Sequence, residues 1–508
     1  MQDYQASNNK RIAKNTIMLY FRMIFIMAVN LYTSRVVLEV LGAEDYGTYN
    51  VVGGVVTMLS FITASMSAAT SRFITFELGK EEGNTERMFR CSTTIFYIFA
   101  ILSFILAETV GLWFVQTQLN IPEGRGNAAF WVYQFSVVTF VISLLSVSYN
   151  ALIIAKEKMG VFAYISLYDG LARLGILFLL YLIPFDSLII YACLLMLVQL
   201  SVRVIYTIYC KSRFTESNGK WLWDGNISKQ IFSYAFWSIS GYVAIIGYTQ
   251  GINILLNVYF GPVVNAARAI ATQVQTALAQ FYANFQTAIR PQIIKTYAQG
   301  NTEYMHSLVL RTGRISLMLA ILVSFPFLAF TEYILNLWLS HPPEHVVTFV
   351  QLTLIAGISN SLSHHTIMAI HATGDIKKFQ LIEGGCLLTI LPISWLLLKC
   401  FLVPSEVVIL VYVVVEVVTQ FVRVYLVYPR IGLKIKKFYT NILGPSFLTL
   451  LLCAIPAYLM YRLVYPTNFF AFIGLSLALL VCECVIITIF GLDASERKML
   501  LTKLKITR

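Results

Sequence analysis

Fourteen runs of about 20 predominantly apolar residues, separated by short polar stretches, leave this chain few structural options. They lie near residues 15–40, 49–76, 91–116, 127–154, 162–183, 187–210, 231–260, 262–289, 308–330, 347–370, 379–403, 404–428, 441–465 and 467–490. A helix of that length crosses the hydrocarbon of a bilayer and satisfies its own backbone hydrogen bonds where no water can. The expected fold is therefore an all-α polytopic membrane protein of about fourteen transmembrane helices. Charged residues are only 12% of the 508, against roughly 25% in a soluble domain.

The basic residues set the orientation. Loops on one side carry 26 lysines and arginines, from Lys10, Arg11 and Lys14 at the N-terminus to Lys498, Lys503, Lys505 and Arg508 at the C-terminus, whereas the other side offers only Arg125. Basic loops stay in the cytoplasm, so both termini are expected there. The net charge of +12 is mostly this topological bias, and no nucleic-acid partner is expected. The first run is too long for a cleaved signal and reads as a retained span.

The chain also repeats itself. Gly83-Asn84-Thr85-Glu86 returns as Gly300-Asn301-Thr302-Glu303, and Tyr32-Thr33, Gly42, Arg72 and Ala155 with Phe162 find Tyr248-Thr249, Gly261, Arg290 and Ala372 with Phe379 at nearly the same offset. This joins the second span to the eighth. An even spacing of six spans keeps both copies in one orientation, as in parallel repeats about an axis normal to the membrane. Expected divisions are an N-lobe over 1–218 (spans one to six), a C-lobe over 219–430 (spans seven to twelve), and an appendix over 431–508 with two more helices and a cytoplasmic tail. The polar segment Lys211 to Gln230, with Asn218-Gly219 and Asp224-Gly225, reads as the linker. Loops on the outer side, Leu41–Thr48, Thr117–Gly126, Pro184–Ser187 and Thr331–Val346, are too short to fold as domains, which counts against a glycan polymerase or ligase.

Charges remain where lipid should be. Each must face protein, an aqueous cavity or the interface, because hydrocarbon cannot solvate it. Arg203, Arg290, Lys399 and Arg462 sit near span ends, where snorkelling accounts for them. Arg22, Arg35, Arg72 and Arg268 are harder to place at a surface and, with Arg290, are the candidate substrate-binding residues of a cavity. Arginine suits phosphate, since its fork donates paired hydrogen bonds and stays charged; the competing reading is that each neutralises a carboxylate. Asp169 with Arg173 at i, i+4 and Glu416 with Arg423 at i, i+7 share helix faces and read first as internal pairs. Asp169, Glu39 and Glu416 are also the candidates for binding a coupling ion, H+ or Na+, while Glu108 and Glu483 are weaker ones.

Catalytic and metal signals are thin. His341 and His345 are separated by Pro342-Pro343, which breaks the helix that would align them. His364, His365 and His371 cluster near the cytoplasmic end of the tenth span. No Walker A sequence is present, and the eight cysteines lie within or beside spans with no obvious disulfide pair. No cofactor, no metal and no enzymatic activity are expected.

The stretch Tyr32-Thr-Ser-Arg-Val-Val-Leu-Glu-Val-Leu-Gly42, the following Asp45-Tyr46-Gly47-Thr48-Tyr49-Asn50-Val51-Val52-Gly53-Gly54, and Ser71-Arg72-Phe73 resemble the N-terminal lobe of bacterial O-antigen and polysaccharide flippases. Ala372-Thr373-Gly374-Asp375-Ile376-Lys377-Lys378-Phe379 is similar to the loop after their tenth span. These belong to the multidrug/oligosaccharidyl-lipid/polysaccharide (MOP) exporter superfamily. The resemblance implies a MATE-like pair of six-helix lobes around a central cavity, working by alternating access in the bacterial inner membrane. The implied substrate is an undecaprenyl-pyrophosphate-linked oligosaccharide of O-antigen, lipopolysaccharide or capsule type, with membrane lipids and other polysaccharide-assembly proteins as partners. It implies that cationic cavity residues meet the pyrophosphate; Arg35 and Arg72 fall within the matching stretches, Arg22 and Arg268 only within the corresponding spans. The alternatives are a cation-coupled multidrug antiporter of the same superfamily and a membrane glycan-modifying enzyme.

Overall fold

A computed structural model describes residues 2–497 apart from 58–59, 119–120, 122–123, 183–184, 220, 340–341, 465 and 495; several side chains of the first two helices, those of Arg35 and Glu39 among them, also lie outside the described residues. The described residues form helices and turns, with no strand among them. The principal helices are α1 (Gln2–Thr57), α2 (Ser60–Gly79), α3 (Thr85–Leu106), α4 (Gly126–Ala155), α5 (Met159–Leu182), α6 (Ser187–Arg213), α7 (Gly225–Phe260) and α8 (Pro262–Ala298). They continue as α9 (Thr302–Ala329), α10 (Val346–Ser361), α11 (Ser363–Thr373), α12 (Lys377–Leu388), α13 (Ile390–Phe401), α14 (Ser405–Val427), α15 (Gly444–Leu463) and α16 (Phe469–Ile486). Helices α10–α11 and α12–α13 each make one span.

Twelve spans among the described residues are long and apolar enough to cross a membrane. Helices α2, of 20 residues, and α8, of 37, are long enough to cross as well but carry too many polar side chains to be counted by composition. With them the all-α, polytopic architecture of about fourteen helices is as the apolar runs predict.

One boundary differs from expectation. The loop expected at Leu41–Thr48 is helical, within an unbroken α1. It contains no proline, so nothing there removes a helical hydrogen bond. The contacts of α1 nevertheless double back: Asn15 Nδ2 donates to Glu157 O, just beyond the end of α4, and Asp45 pairs with Arg125, which caps the start of α4. A Cβ at Gly53 would then lie 3.8 Å from Ser136 Oγ, well inside α4. A straight helix would carry Gly53 about 12 Å beyond Asp45 and off the end of α4. The chain reverses near Asp45 while keeping helical hydrogen bonding.

The chain divides into two compact units, Met1–Ile239 and Ser240–Arg508. In the first, α1 packs on α4 and α5, and α4 on α6. The polar segment read as the linker is docked against α3: Trp221 stacks on Tyr97 with ring centroids 4.7 Å apart, and Leu222 N donates to Thr94 Oγ1. Asp224 pairs with Arg87, and Lys156 Nζ lies 2.5 Å from Glu216 Oε1. In the second unit a buried apolar core runs from Tyr248, Ile252 and Leu256 of α7 through Ala267 and Ala271 of α8 to Phe349, Ile390 and Tyr412.

The repeated Gly-Asn-Thr-Glu has one structural role in both copies. Asn84 caps α3 by accepting from Arg87 N, and Asn301 caps α9 by accepting from Tyr304 N. An N-cap oxygen satisfies an N–H that the first helical turn would leave without a partner. The preceding glycines differ: a Cβ at Gly83 would fall 1.8 Å from Glu77 O, whereas Gly300 has φ +69°.

Candidate functional site

Charged side chains on the spans cluster in each unit, half-buried in the first and buried in the second. In the first unit, Asp169 Oδ1 of α5 accepts from Arg173 Nε at 3.0 Å. Arg22 of α1 lies over the ring of Phe162 at 4.5 Å and within electrostatic reach of Asp169 and Tyr206. Tyr206 in turn accepts from Asn150 Nδ2 at 3.1 Å. The i, i+4 pair is as the spacing predicts, and two guanidiniums act on one carboxylate, so the cluster carries excess positive charge. Arg72 of α2 is buried, 4.6 Å from the rings of both Phe73 and Phe76. Such faces attract a guanidinium through the ring quadrupole. Glu108 accepts from Gln134 Nε2.

The second unit holds a longer polar network. Arg268 of α8 is 3% exposed. Its Nη1 donates to Thr353 Oγ1 at 3.2 Å and its guanidinium stands 5.6 Å from the ring centroid of Tyr412, but its Nε has no acceptor. Among the described residues no carboxylate pairs with it. Tyr412 hydrogen-bonds Tyr248, stacks against it, and accepts from Gln275 Nε2. One turn further along α14, Glu416 and Arg423 form the expected pair at 2.7 Å, and Arg423 Nε also donates to Glu383 Oε1 at 2.6 Å. Asn360 Nδ2 donates to Glu416 Oε1, while Glu416 Oε2 is buried without a partner.

Arg290 is half-buried in the C-terminal part of α8, ahead of Pro291, and is not joined to Arg268 by any described contact. Arg35 and Glu39 carry side chains outside the described residues, as does His341. His345 pairs with Glu406, and His365 is buried between Leu362 O and the Tyr428 hydroxyl. Glu483 is buried with neither oxygen bonded. All eight cysteines are free, and no group of metal-ligating side chains occurs among the described residues.

Sequence reasoning missed Glu383, Thr353, Asn360 and the tyrosines. Glu383 carried a readable signal, since it is a single acid inside an apolar run, beside Gly384-Gly385. The others are ordinary polar residues whose roles depend on which helices meet.

The chain matches no family model and none of the curated proteins. Solved structures do resemble it. An outward-facing multidrug resistance MATE family transporter of the MOP superfamily aligns at a TM-score of 0.73 with 14% identity over 84% of this chain and 96% of that one. A MOP superfamily transporter from Pyrococcus furiosus, described as having a binding pocket of reverse polarity that suggests a different function, gives 0.71 and 12% over 83% and 96%. The MATE transporter ClbM in complex with Rb+ gives 0.67 and 12% over 82% and 94%. The fold of this multi-pass membrane protein is thus that of the MATE transporters. These neighbours are covered almost whole.

Proposed function

We propose that the chain carries an anionic lipid-linked oligosaccharide, an undecaprenyl-pyrophosphate-linked glycan of the O-antigen, lipopolysaccharide or capsule kind, across the bacterial inner membrane by alternating access. The observation that carries this reading is Arg268: a buried guanidinium with a donor unused and no paired carboxylate among the described residues. An unpaired buried charge is costly, and the oxygen of a phosphate is the partner that a guanidinium fork fits best. Arg72 on its two phenylalanine faces and the positive excess at Arg22, Asp169 and Arg173 extend the same preference into the first unit. A carrier of organic cations would place carboxylates at these positions. The Pyrococcus furiosus neighbour, with its pocket of reverse polarity, indicates that this fold accommodates such an inversion. The predominance of basic residues in alternate loops supports cytoplasmic termini.

In this mechanism the anionic headgroup is met by Arg268 in the second unit and, separately, by Arg72 in the first, while the prenyl tail remains in lipid. No bond is made or broken, so the protein acts as a carrier. The substrate must bind the two access states unequally at different stages, because a ligand with equal affinity for both shifts nothing. Reconstituted vesicles containing a fluorescent prenyl-pyrophosphate glycan test this. Arg268→Ala and Arg72→Ala should each slow flipping at least about tenfold, the loss of one charge-assisted hydrogen bond. Full flipping by both variants, or efflux of an organic cation in place of the glycan, would defeat the reading.

A further inference from the structure

The stretch from Lys211 to Gln230, running from the end of α6 into the start of α7, carries two acids, Glu216 and Asp224, and four bases, Lys211, Arg213, Lys220 and Lys229. Both acids are taken by cations from elsewhere in the first unit: Lys156 Nζ lies 2.5 Å from Glu216 Oε1, and Arg87 pairs with Asp224. Arg90, the other guanidinium close by, has Glu86 at 3.1 Å. Lys211, Arg213 and Lys229 are exposed and have no ion pair among the described residues, and Lys220, whose side chain lies outside them, adds a fourth cation by sequence. The backbone of the stretch is pinned, since Asn218 Nδ2 donates to Lys211 O at 3.2 Å and Leu222 N to Thr94 Oγ1. The result is a fixed surface with uncompensated positive charge.

Two indoles stand out from this surface. Trp221 stacks on Tyr97 yet remains 69% exposed, and Trp223 is 56% exposed. The neighbouring helices fix their level relative to the bilayer. On α3 the exposed side chains are Glu86 and Arg87 near its start and Ile98, Ile101 and Leu102 further on, so the change from water to lipid falls between Arg87 and Ile98, beside Tyr97. On α6 the same change falls between Ile208 and Lys211, and on α7 between Lys229 and Phe236. Helix α7 meets α3 across that level, through Ser228 with Cys91 and Phe232 with Phe99. An indole, with an apolar body and a polar N–H, is the side chain that favours the boundary between headgroups and acyl chains.

We propose that this segment is a docking site for anionic phospholipid in the leaflet on the basic-loop side, with the Trp221 and Trp223 indoles among the upper acyl chains and Lys211, Arg213 and Lys229 on the headgroups. The partner must offer an apolar part at the level of Ile98 and negative charge just outside it, and a phospholipid of net negative charge supplies both in one molecule. A zwitterionic lipid would cover the indoles and leave the cations without a net counter-charge. A soluble acidic partner would meet the cations and leave the indoles, which stand level with lipid-facing side chains, uncovered. Juxtamembrane cations gain from an anionic surface additively and lose that gain as salt screens it. Neither Arg268 nor Arg72 takes part, so the site is independent of what the chain carries.

The test reconstitutes the 508-residue chain in phosphatidylcholine bilayers with a minor share of lipid brominated high on the acyl chain, because bromine quenches an indole that it touches. The difference between wild type and a Trp221→Phe/Trp223→Phe variant isolates these two indoles from the remaining tryptophans. That difference signal should be quenched by brominated phosphatidylcholine, and more strongly by the same share of brominated phosphatidylglycerol. Lys211→Gln, Arg213→Gln and Lys229→Gln should each lower the preference for phosphatidylglycerol by about fivefold at low salt, and the triple variant should keep the quenching and lose the preference. High salt should do the same to wild type, an arm that needs no variant to fold. Quenching by neither lipid, with access only to a water-soluble quencher, overturns the proposal and leaves an aqueous partner as the occupant. Equal quenching of wild type by the two lipids overturns it as well, since the cations would then select nothing, and so does a preference that survives in the triple variant.

Discussion

Arg423 and Glu383 are held 2.6 Å apart across forty residues of sequence, and both are buried. With Glu416 on its other nitrogen, this guanidinium is in direct contact with both carboxylates. Removing one member of a buried ion pair strands the other, a change that typically costs about 3–5 kcal/mol. Arg423→Leu should therefore lower the thermal unfolding temperature of the purified protein severely. Glu383→Gln, which keeps a hydrogen-bond acceptor and leaves Arg423 paired with Glu416, should lower it much less. Equal unfolding temperatures for Arg423→Leu and wild type would show that the two acids are accommodated in some other way.

The duplicated tetrapeptide makes a paired prediction. Asn84→Ala and Asn301→Ala each remove an N-cap oxygen, and each should cost about 1 kcal/mol. Gly83→Ala should cost more than Gly300→Ala, because the added Cβ meets a backbone oxygen at 1.8 Å in the first case and only an unfavourable φ in the second. Unfolding measurements on the four single variants give the order directly, and a reversal for the glycines would count against the described turn at Gly83.

Much of this fold is legible in one dimension because the bilayer imposes a length on every apolar run. Interactions within one helix are equally legible: Asp169 with Arg173 and Glu416 with Arg423 follow from spacing along a single face. Glu383 could not be joined to Arg423 in this way, since its position depends on how α12 packs against α14. The reversal near Asp45 was legible as a change of direction but not as a helical one. The docking of residues 211–230 was not legible, for the opposite reason. Polar composition marks a segment that avoids lipid, and says nothing about Trp221 finding Tyr97 or Gly219 sitting so close to Arg90 that a Cβ would meet its Cδ at 2.4 Å.

That docked segment should respond to acid. Burial of Glu216 works to raise its carboxyl, but the hydrogen bond from Lys156, its backbone bonds and the Lys156 charge together hold it below the ordinary range. Asp224 is held low by the backbone N–H groups of Ile227 and Asn226 and by Arg87. Folded-state values below the unfolded ones contribute stability that is present above the ordinary carboxylate value of about 4 and lost as pH falls through the folded value. The segment should thus release below about pH 4. The Trp221 contribution to fluorescence, taken as the difference between wild type and Trp221→Phe, should change over that interval and hold steady from neutral pH down to its upper edge. A Trp221 signal that stays constant through the acid range would show that these two carboxylates do not hold the segment.

Helices α15 and α16 are tied to α9 by charge. Arg314 of α9 provides the tie: its Nη2 lies 2.5 Å from Asp493 and 2.7 Å from Glu496, and its Nη1 donates to Asn441 O. Arg311 also reaches Glu496, at 3.2 Å. Exposure separates the two acids, since the side chain of Asp493 is 44% exposed and that of Glu496 only 4%. A solvated pair contributes about 0–1 kcal/mol, whereas loss of a buried charge partner costs about 3–5 kcal/mol. Asp493→Asn should accordingly leave hydrogen exchange in α15 and α16 close to wild type, and Glu496→Gln should raise it markedly by letting this hairpin open while the rest of the unit stays folded. Equal protection in the two variants would mean that packing, such as the close approach of Gly491 to Met318, holds the hairpin without help from these charges.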